Sequence, residues 1–393
     1  MNTHQNNANI YLNRRQFLGA MAGTLALSAC ATKPQPVKKT TKTMPKEKKM
    51  IFVNPDADNT IHLFAPSGYV ADGSRIELGL QRLAEAGFAV SNITAAYRRS
   101  QRFAGTDQER AADLQSLATG KVPMPKMLLG LRGGYGAARI LPLVDWASLG
   151  ARMKERGTLL MGFSDVCAVQ LALLAQGNMM SFSGPMLYSE FGKPERPEYT
   201  MQNFVSAVSN KPLTISTTSA NARYFQIEGP FWGGNLSVLA SLIGTPYFPD
   251  VAGGILFLED VSEQPYRIDR MLQQLALSGC LKKQQAIILG NFRLPKNADV
   301  YDAAYDFPMV ISYWQRKLGI PILQNFPFGH VLNKTTFPLG AVAKVQGFGD
   351  GYSVTWNDYP TLNADKLNLN ALLAPPVYVW DDVENTGTNP DSF

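Results

Sequence analysis

The sequence predicts an α/β protein with a parallel sheet in its first half and a second, β-richer domain after it. At 393 residues and 45% hydrophobic composition, the chain is long and apolar enough to form two cores. Between residues 60 and 180, short apolar runs alternate with amphipathic stretches, which is typical of strands joined by helices in a parallel sheet. After Pro197, short apolar runs are separated by Gly- and Thr-rich turns, which indicates a change of architecture.

The N-terminus has the pattern of an export signal, which we predict to comprise residues 1–29. A twin arginine at 14–15 precedes an uncharged run, residues 17–29, that is too short to span a bilayer. The arginines resemble a Tat signal, and "LSAC" at 27–30 resembles a bacterial lipobox. We therefore expect a lipid on Cys30, the alternative being a buried N-terminal helix with a chance cysteine.

Residues 30–49 are predicted to be a solvated tether, because they are rich in Lys, Thr and Pro and lack apolar periodicity. Contact of the lysines with anionic headgroups is the alternative. This layout predicts a periplasmic, membrane-anchored lipoprotein. Residues 31–32 carry no inner-membrane retention signal, which favours the outer membrane.

The net charge of +6 comes from the N-terminal segment. Residues 1–49 hold nine of the 37 Lys and Arg and one of the 31 acidic residues, Glu47, which leaves 28 basic and 30 acidic residues elsewhere. A slightly acidic body argues against a protein that follows nucleic-acid phosphates. We expect no nucleic-acid partner.

The domain boundaries follow from changes in composition. We predict an N-terminal α/β domain at 50–200, a linker at 201–225, a β-rich domain at 226–378 and a polar tail at 379–393. The tail is acidic and is expected to fray.

The predicted elements of the first domain repeat a strand-turn-helix unit. The strand "IHLF" ends at Pro-Ser-Gly and precedes the amphipathic helix "RIELGLQRLAEAG". The pattern continues with the strand in "FAVSNITAAY", the helix "DQERAADLQSLATG", the strand "KMLLGL", the strand "TLLMGF" and the helix "VCAVQLALLAQG". Strands alternating with helices place a site at the carboxyl ends of the strands.

In the second domain, "ILFLEDV" reads as a strand and "YRIDRMLQQLALSG" as a helix that ends at Gly279. Further strands are expected in "AIILGNF", "VLNKTTFPLGAVAKVQGF" and "YSVTWN".

A glycine-rich turn, "LRGGYGAARI", follows the strand "KMLLGL". It does not match a dinucleotide fingerprint, because Arg139 stands where a third small residue belongs, and it lacks the Gly-Lys-Ser/Thr ending of a P-loop. Bare glycines at a helix start let a backbone N–H approach an oxyanion. A tight structural turn and a phosphate loop remain the alternatives.

Ser164 lies in "LLMGFSDVCAVQ", where an apolar strand runs directly into a helix. A serine at such a turn is exposed at the top of the sheet, as in a nucleophile elbow, although the G-x-S-x-G pattern is absent. Plain helix capping is the alternative, because Ser is a favoured N-cap.

The chain has three histidines, and a serine nucleophile needs one as its base. His4 lies in the signal segment, and His62 lies inside an apolar strand. His330, in a loop rich in Pro and Gly, is therefore the better candidate. So few histidines also argue against a His-rich catalytic zinc site, and we expect no metal.

A catalytic histidine is normally oriented by a carboxylate. Glu259 and Asp260 lie at the end of a predicted strand and Glu263 just beyond it. The residues alone leave the choice among the three open.

Taken together, these motifs resemble the serine-type LD-carboxypeptidases, whose microcin-immunity members share the same scaffold. The matching segments occur in family order over about residues 51–375: "APSG", "FAGTDQERAADLQ", "LRGGYGAARILPLVDW", "GFSD", "FWGGNLSVLASLIGTPY", "LEDVSEQPYRIDRMLQQL" and "GHVLNKTTFPLGAVAKV". The resemblance implies a flavodoxin-like or Rossmann-like N-terminal domain, a smaller barrel-like C-terminal domain, a site between them and a homodimer.

The resemblance also assigns roles to residues. It implies that Ser164 is the nucleophile, His330 the base and Glu259 the carboxylate that orients it. The backbone N–H groups of Gly134 and Asp165 would form the oxyanion hole. No metal or cofactor is implied.

The reaction implied is hydrolysis of the amide between an L-centre and a terminal D-amino acid, such as the D-Ala of a murein tetrapeptide. The best-known family members act on muropeptides in the cytoplasm, whereas this chain carries an export signal, so the cell wall itself is a candidate substrate. Two rival functions are a lipoprotein that binds muropeptides without cleaving them and a nucleotide-dependent oxidoreductase.

Overall fold

The structure is a computed structural model that describes residues 58–219, 222–297 and 301–373. The predicted signal peptide, the tether with Cys30 and the polar tail lie outside these residues. All described residues belong to one compact unit. Within these ranges, no helix is both long enough and apolar enough to cross a membrane.

The first sheet has six strands in the order β11-β5-β4-β3-β1-β2. Strands β1 to β5 run parallel to one another, and β11 pairs antiparallel with β5 at one edge. Most of their residues are buried, as expected for strands covered on both faces. The strands are β1 (Thr60–Phe64), β2 (Ala89–Ser91), β3 (Met127–Gly130), β4 (Leu159–Gly162), β5 (Ser181–Ser183) and β11 (Phe337–Leu339).

Helices connect these strands, and side chains cap the start of some of them. Thr106 and Glu109 form a capping box at the start of α2, and Asp145 caps α4 through the Ser148 N–H. The helices are α1 (Gly73–Glu85), α2 (Asp107–Ala118), α3 (Ala137–Ile140), α4 (Trp146–Arg156), α5 (Cys167–Gly177) and α6 (Glu198–Ser209). The alternation of strands and helices predicted for this half is confirmed.

The second sheet has seven strands in the order β10-β9-β8-β7-β12-β13-β6. Strands β7 to β10 are parallel, whereas β12, β13 and β6 are antiparallel. The strands are β6 (Leu213–Thr218), β7 (Phe225–Asn235), β8 (Gly254–Val261), β9 (Gln284–Arg293), β10 (Ile322–Leu323), β12 (Ala341–Gly347) and β13 (Gly351–Trp356). Within the described residues, the α-helices of this half are α7 (Leu236–Ser241), α8 (Pro265–Leu277) and α9 (Phe307–Leu318).

The two edges of the second sheet approach each other. Gln324, just after β10, donates its backbone N–H to Ser219 Oγ beyond β6, at 3.2 Å. Thr217 of β6 donates to the Asn325 carbonyl at 2.9 Å. Within the described residues, hydrogen bonds that involve side chains join these two edges, so the sheet curls back on itself.

Two segments depart from the predicted domain boundaries. Residues 201–225, predicted as a linker, contain most of α6 and the whole of β6. Strand β11 lies within the predicted C-terminal domain, yet it pairs with β5 of the first sheet. The reason is packing: Phe337 of β11 stacks edge-on against Phe257 of the second sheet, with ring centroids 5.1 Å apart, so the two sheets share one aromatic core.

Candidate active site

Ser164 stands on a sharp turn between β4 and α5. Its φ is 63°, a left-handed conformation that is uncommon for a residue with a side chain. The turn is tight, because a Cβ at Gly162 would lie 2.7 Å from Val166 Cγ1. Among the described residues, the Ser164 hydroxyl contacts a histidine and caps no helix, a geometry that is typical of a nucleophile elbow and that favours this interpretation over helix capping.

His330 reaches Ser164 from the loop between β10 and β11. Its Nε2 lies 2.9 Å from Ser164 Oγ and its Nδ1 lies 2.8 Å from Glu259 Oε2. Gly329 fixes the approach of this loop, because its φ is 146° and a Cβ there would lie 3.0 Å from the Asn291 backbone oxygen. The imidazole also packs against Phe163, with ring centroids 5.3 Å apart.

Glu259 is the carboxylate that contacts the histidine. It lies near the end of β8 and is 1% exposed, with Oε1 accepting from Asn235 Nδ2 at 3.1 Å. Asp260 accepts instead from the Ser237 N–H at 2.8 Å, and Glu263 pairs with Arg267. The structure thus separates the three carboxylates that the residues alone left open.

Asn235 is a site residue that the sequence analysis missed. It ends β7 opposite Glu259, and its Nδ2 donates to both Glu259 and Asp260 at 3.1 Å. Its Oδ1 accepts from the Val238 N–H and so caps α7. The signal in the sequence was a polar residue directly after two glycines at the start of a helix.

The charges around His330 favour its protonated form. Burial alone would lower its pKa, but the hydrogen bond and charge of Glu259, together with the charge of Asp260, raise the pKa above the ordinary value. Burial and the neighbouring Glu259 also raise the pKa of Asp260 to about 6. An imidazole in this setting is a strong base for a serine hydroxyl.

The glycine-rich turn lies directly against the serine. A Cβ at Gly133 would lie 2.7 Å from Ser164 Oγ and 3.4 Å from the Asp165 backbone nitrogen. Gly134 follows with a φ of 122°. The turn therefore borders the Ser164 hydroxyl, which favours the oxyanion interpretation over a phosphate loop.

Asp165 fastens the elbow to this turn. Its Oδ2 accepts from Ser67 Oγ at 2.6 Å and from the Ala137 N–H at 2.9 Å. Burial raises the pKa of this carboxyl, while the two hydrogen bonds oppose the rise. The segments after β1, β3 and β4 are thereby held together at the carboxyl ends of the strands.

His62 is not part of this arrangement. It is 5% exposed on β1, and its Nδ1 lies 3.1 Å from Ser91 Oγ. Burial lowers its pKa. His4 lies outside the described residues. Among the residues described, no group of three or more His, Cys, Asp or Glu side chains is placed to hold a metal ion.

Comparison with known proteins now decides the family. Residues 61–184 match the model of the LD-carboxypeptidase N-terminal domain, and residues 228–345 match that of the LD-carboxypeptidase C-terminal domain. The chain belongs to the LD-carboxypeptidase family. This LD-carboxypeptidase is a serine-type enzyme, and the predicted family, fold class and type of enzyme are confirmed.

Relatives of this LD-carboxypeptidase include the murein tetrapeptide carboxypeptidase of Pseudomonas aeruginosa. The two are 28% identical over 302 residues, which cover 74% of this chain and 94% of the relative. The muramoyltetrapeptide carboxypeptidase of Oxalobacter formigenes has a solved structure with a TM-score of 0.70 and 38% identity, covering 77% of this chain and 100% of that one. The microcin C7 self-immunity protein MccF, at 21% identity and a TM-score of 0.67, shares the fold. Neither rival function, the non-catalytic lipoprotein or the oxidoreductase, is supported by these relatives.

Proposed function

We propose that this LD-carboxypeptidase releases the terminal D-alanine from murein tetrapeptides by attack of Ser164 on the amide that follows an L-centre. The observation that carries the proposal is the continuous hydrogen-bonded chain from Ser164 through His330 to Glu259, with contacts of 2.9 and 2.8 Å. The names of the relatives from Pseudomonas aeruginosa and Oxalobacter formigenes support this substrate class.

The first half of the reaction forms an acyl-enzyme. Nε2 of His330 takes the proton from Ser164 Oγ as this oxygen bonds to the scissile carbonyl carbon. The protonated imidazole then donates to the leaving nitrogen, the C–N bond breaks and D-alanine departs. Glu259 accepts from Nδ1 throughout and stabilises the imidazolium that forms between the two proton transfers.

The second half returns the enzyme to its starting state. A water molecule gives one proton to His330 Nε2 while its oxygen attacks the acyl carbon, and His330 returns that proton to Ser164 Oγ. The tripeptide leaves as a carboxylic acid. In both halves the carbonyl oxygen becomes negative, and the N–H groups of Gly134 and Asp165 are the donors we assign to it.

We further propose that the enzyme is exported and anchored through a lipid on Cys30, with its active site in the periplasm and the outer membrane as its membrane. The twin arginine, the uncharged run and the "LSAC" segment support export and lipidation. Residues 30–49 would then give the enzyme reach, either to stem peptides in the wall or to soluble muropeptides. A homodimer is expected from the family resemblance alone.

A single assay tests the reaction. Purified protein is incubated with a defined murein tetrapeptide, and the products are measured by mass spectrometry and by a D-alanine assay. The expected result is equimolar tripeptide and D-alanine, absent with Ser164→Ala. Binding of the tetrapeptide without any cleavage by the wild-type protein would contradict the proposal.

A further inference from the structure

Arg132 stands between the end of β3 and the glycine pair, half-buried beside the site. Its Nε donates to the Gly133 carbonyl at 3.2 Å and its Nη1 donates to the Tyr69 carbonyl at 3.1 Å. Its Nη2 has no acceptor within the described part of the chain, and it lies 3.9 Å from the position of a Cβ at Gly134. One edge of a fixed guanidinium therefore remains available beside the glycine turn.

The charge of Arg132 is also not neutralised by a neighbour. Across residues 58–219, 222–297 and 301–373, no carboxylate forms an ion pair with it. Two other arginines of the same domain are paired: Arg139 contacts Asp107 at 2.7 Å, and Arg98 contacts Asp113 at 2.6 Å. Arg132 differs from these two arginines, because within the described residues no carboxylate neutralises its charge.

A tyrosine ring and the backbones of two glycines surround the Arg132 guanidinium. The Cζ atom of Arg132 lies 5.6 Å from the centroid of the Tyr188 ring, and Arg75 Cζ lies 4.0 Å from the same centroid. The backbones of Gly68 and Gly134 lie next to it without side chains; a Cβ at Gly68 would be 3.8 Å from Arg132 Cζ. The guanidinium is therefore bordered by an aromatic ring and by backbone that carries no side chains.

The position of the Arg132 guanidinium suits one group of the proposed substrate. Gly133 contacts both Arg132 and Ser164, since its carbonyl accepts from the guanidinium and its Cβ position lies 2.7 Å from Ser164 Oγ. In a C-terminal residue, the free carboxylate lies about one residue length, roughly 3.8 Å, beyond the scissile carbonyl. The planar guanidinium of arginine also matches the geometry of a carboxylate.

We propose that Arg132 binds the free α-carboxylate of the departing D-amino acid and so restricts the enzyme to the last residue of a stem peptide. This inference rests on the proposed function and names the group that selects the substrate. Arg132 contacts the substrate away from the reacting bond, so its interaction is present in the bound substrate and in the transition state alike. Its loss should therefore raise KM more than it lowers kcat.

The test compares a tetrapeptide that ends in a free acid with the same peptide ending in a carboxamide. For the wild-type enzyme, amidation should lower kcat/KM about 10- to 100-fold, the range for loss of a hydrogen bond between charged groups. For Arg132→Gln, the kcat/KM values of the two peptides should agree within about twofold, because the group that distinguishes a carboxylate from a carboxamide has been removed. Arg132→Lys keeps the charge without the planar fork and should give an intermediate ratio.

Arg139→Gln is the matched control, since it removes an arginine from the same turn whose charge Asp107 already neutralises. It should keep the wild-type ratio between acid and amide. An unchanged ratio in Arg132→Gln, with the enzyme folded by its thermal melt, would overturn the inference while leaving the proposed function intact. If Arg132→Gln fails to fold, Arg132→Lys decides by the same ratio.

A binding measurement tests the role of Arg132 without requiring cleavage of the peptide. Ser164→Ala protein, with and without Arg132→Gln, is titrated calorimetrically with the acid and the amide peptides. The acid should bind about 10- to 100-fold more tightly only where Arg132 is present. Absence of D-alanine release by the wild-type enzyme would refute the proposed function, whereas equal binding of acid and amide would refute the role of Arg132.

Discussion

Gly133 faces Ser164 so closely that a Cβ there would lie 2.7 Å from Oγ and 2.7 Å from the serine Cβ. Its φ does not lie in the left-handed region, so the backbone itself accepts a side chain. The requirement for glycine at 133 thus comes from the nucleophile and not from the turn.

The first prediction is that Gly133→Ala lowers kcat/KM for tetrapeptide cleavage by about 100-fold or more. The new methyl must displace Oγ, and a misplacement of about 1 Å costs that much. Gly73→Ala, at a glycine with nothing within 4 Å of its Cβ position, is the control and should leave kcat/KM unchanged. Because the clash is with Ser164, any loss of melting temperature should be smaller in the Ser164→Gly background. Full activity in Gly133→Ala would contradict the observed contact.

The second prediction concerns Ser164, His330 and Glu259 as one unit. Ser164→Ala and His330→Ala should each lower kcat by several orders of magnitude, and the double variant should be little worse than either. Glu259→Gln should cost less, since the base remains but is poorly oriented. Steady-state D-alanine release gives the rates, and thermal melts check folding. If His62→Ala abolished turnover while His330→Ala kept it, the assignment of the base would be wrong.

The third prediction is a pH profile. The raised pKa of His330 places the acidic limb of kcat/KM above the ordinary histidine value of about 6.5, because only the neutral imidazole accepts the serine proton. Glu259→Gln removes the main cause of the rise and should move the limb to lower pH. The raised pKa of His330 also stabilises the folded state. This stabilisation is fully present at pH values below the pKa of His330 in the unfolded chain, and it is lost as the pH rises through its pKa in the folded protein. A limb that does not move in Glu259→Gln would contradict the electrostatic argument.

Much of the first domain was predictable, because strands β3 and β4 are apolar runs and helix α1 has one apolar face. Strand β7 was not predictable from its sequence, although it is an interior strand of the second sheet. It contains Pro230 and three glycines, residues that are typical of loops. The structure explains two of them: Gly233 has a φ of 117°, and a Cβ at Gly234 would lie 2.6 Å from Cys167 Sγ. Such close approaches depend on a distant helix and leave no local pattern.

The residue pattern could not identify Glu259 either, because this assignment also depends on the three-dimensional structure. Alternate residues of a strand face opposite sides, so the neighbours Glu259 and Asp260 could be told apart only by knowing which side faces His330. The register of β8 against β9 shifts between Leu258 and Asp260, and this irregularity lets both carboxylates share Asn235. The family resemblance supplied the assignment that residue patterns could not.

The fourth prediction tests the anchor. Cys30→Ala should release the protein from the membrane fraction, because a lipid anchor contributes about 0.8 kcal/mol for each buried CH₂ group. Fractionation of cells followed by immunodetection measures this, and the purified variant should cleave the tetrapeptide at the wild-type rate. A variant that stays wholly in the membrane fraction would show that another segment holds it there.

The fifth prediction concerns a buried ion pair next to the site. Lys334 Nζ lies 2.7 Å from Glu190 Oε1, with side-chain exposures of 2% and 3%, and 4.9 Å from the centroid of the Phe163 ring. Lys334→Met leaves the Glu190 charge buried without its partner and should cost about 3–5 kcal/mol of unfolding free energy. That cost should shrink as the pH falls, because an unpaired buried carboxyl takes up a proton.

Adding Glu190→Gln to Lys334→Met should restore much of the lost stability. The glutamine removes the charge yet keeps an acceptor for the Met186 N–H, which now donates to Glu190 Oε2 at 2.9 Å. Denaturant unfolding at neutral and acidic pH measures both effects. A second readout is catalytic: the charge of Lys334 lowers the pKa of His330, so its removal should move the acidic limb of kcat/KM to higher pH. If Lys334→Met lost stability but left that limb in place, the ion pair would act on the fold alone and not on the base.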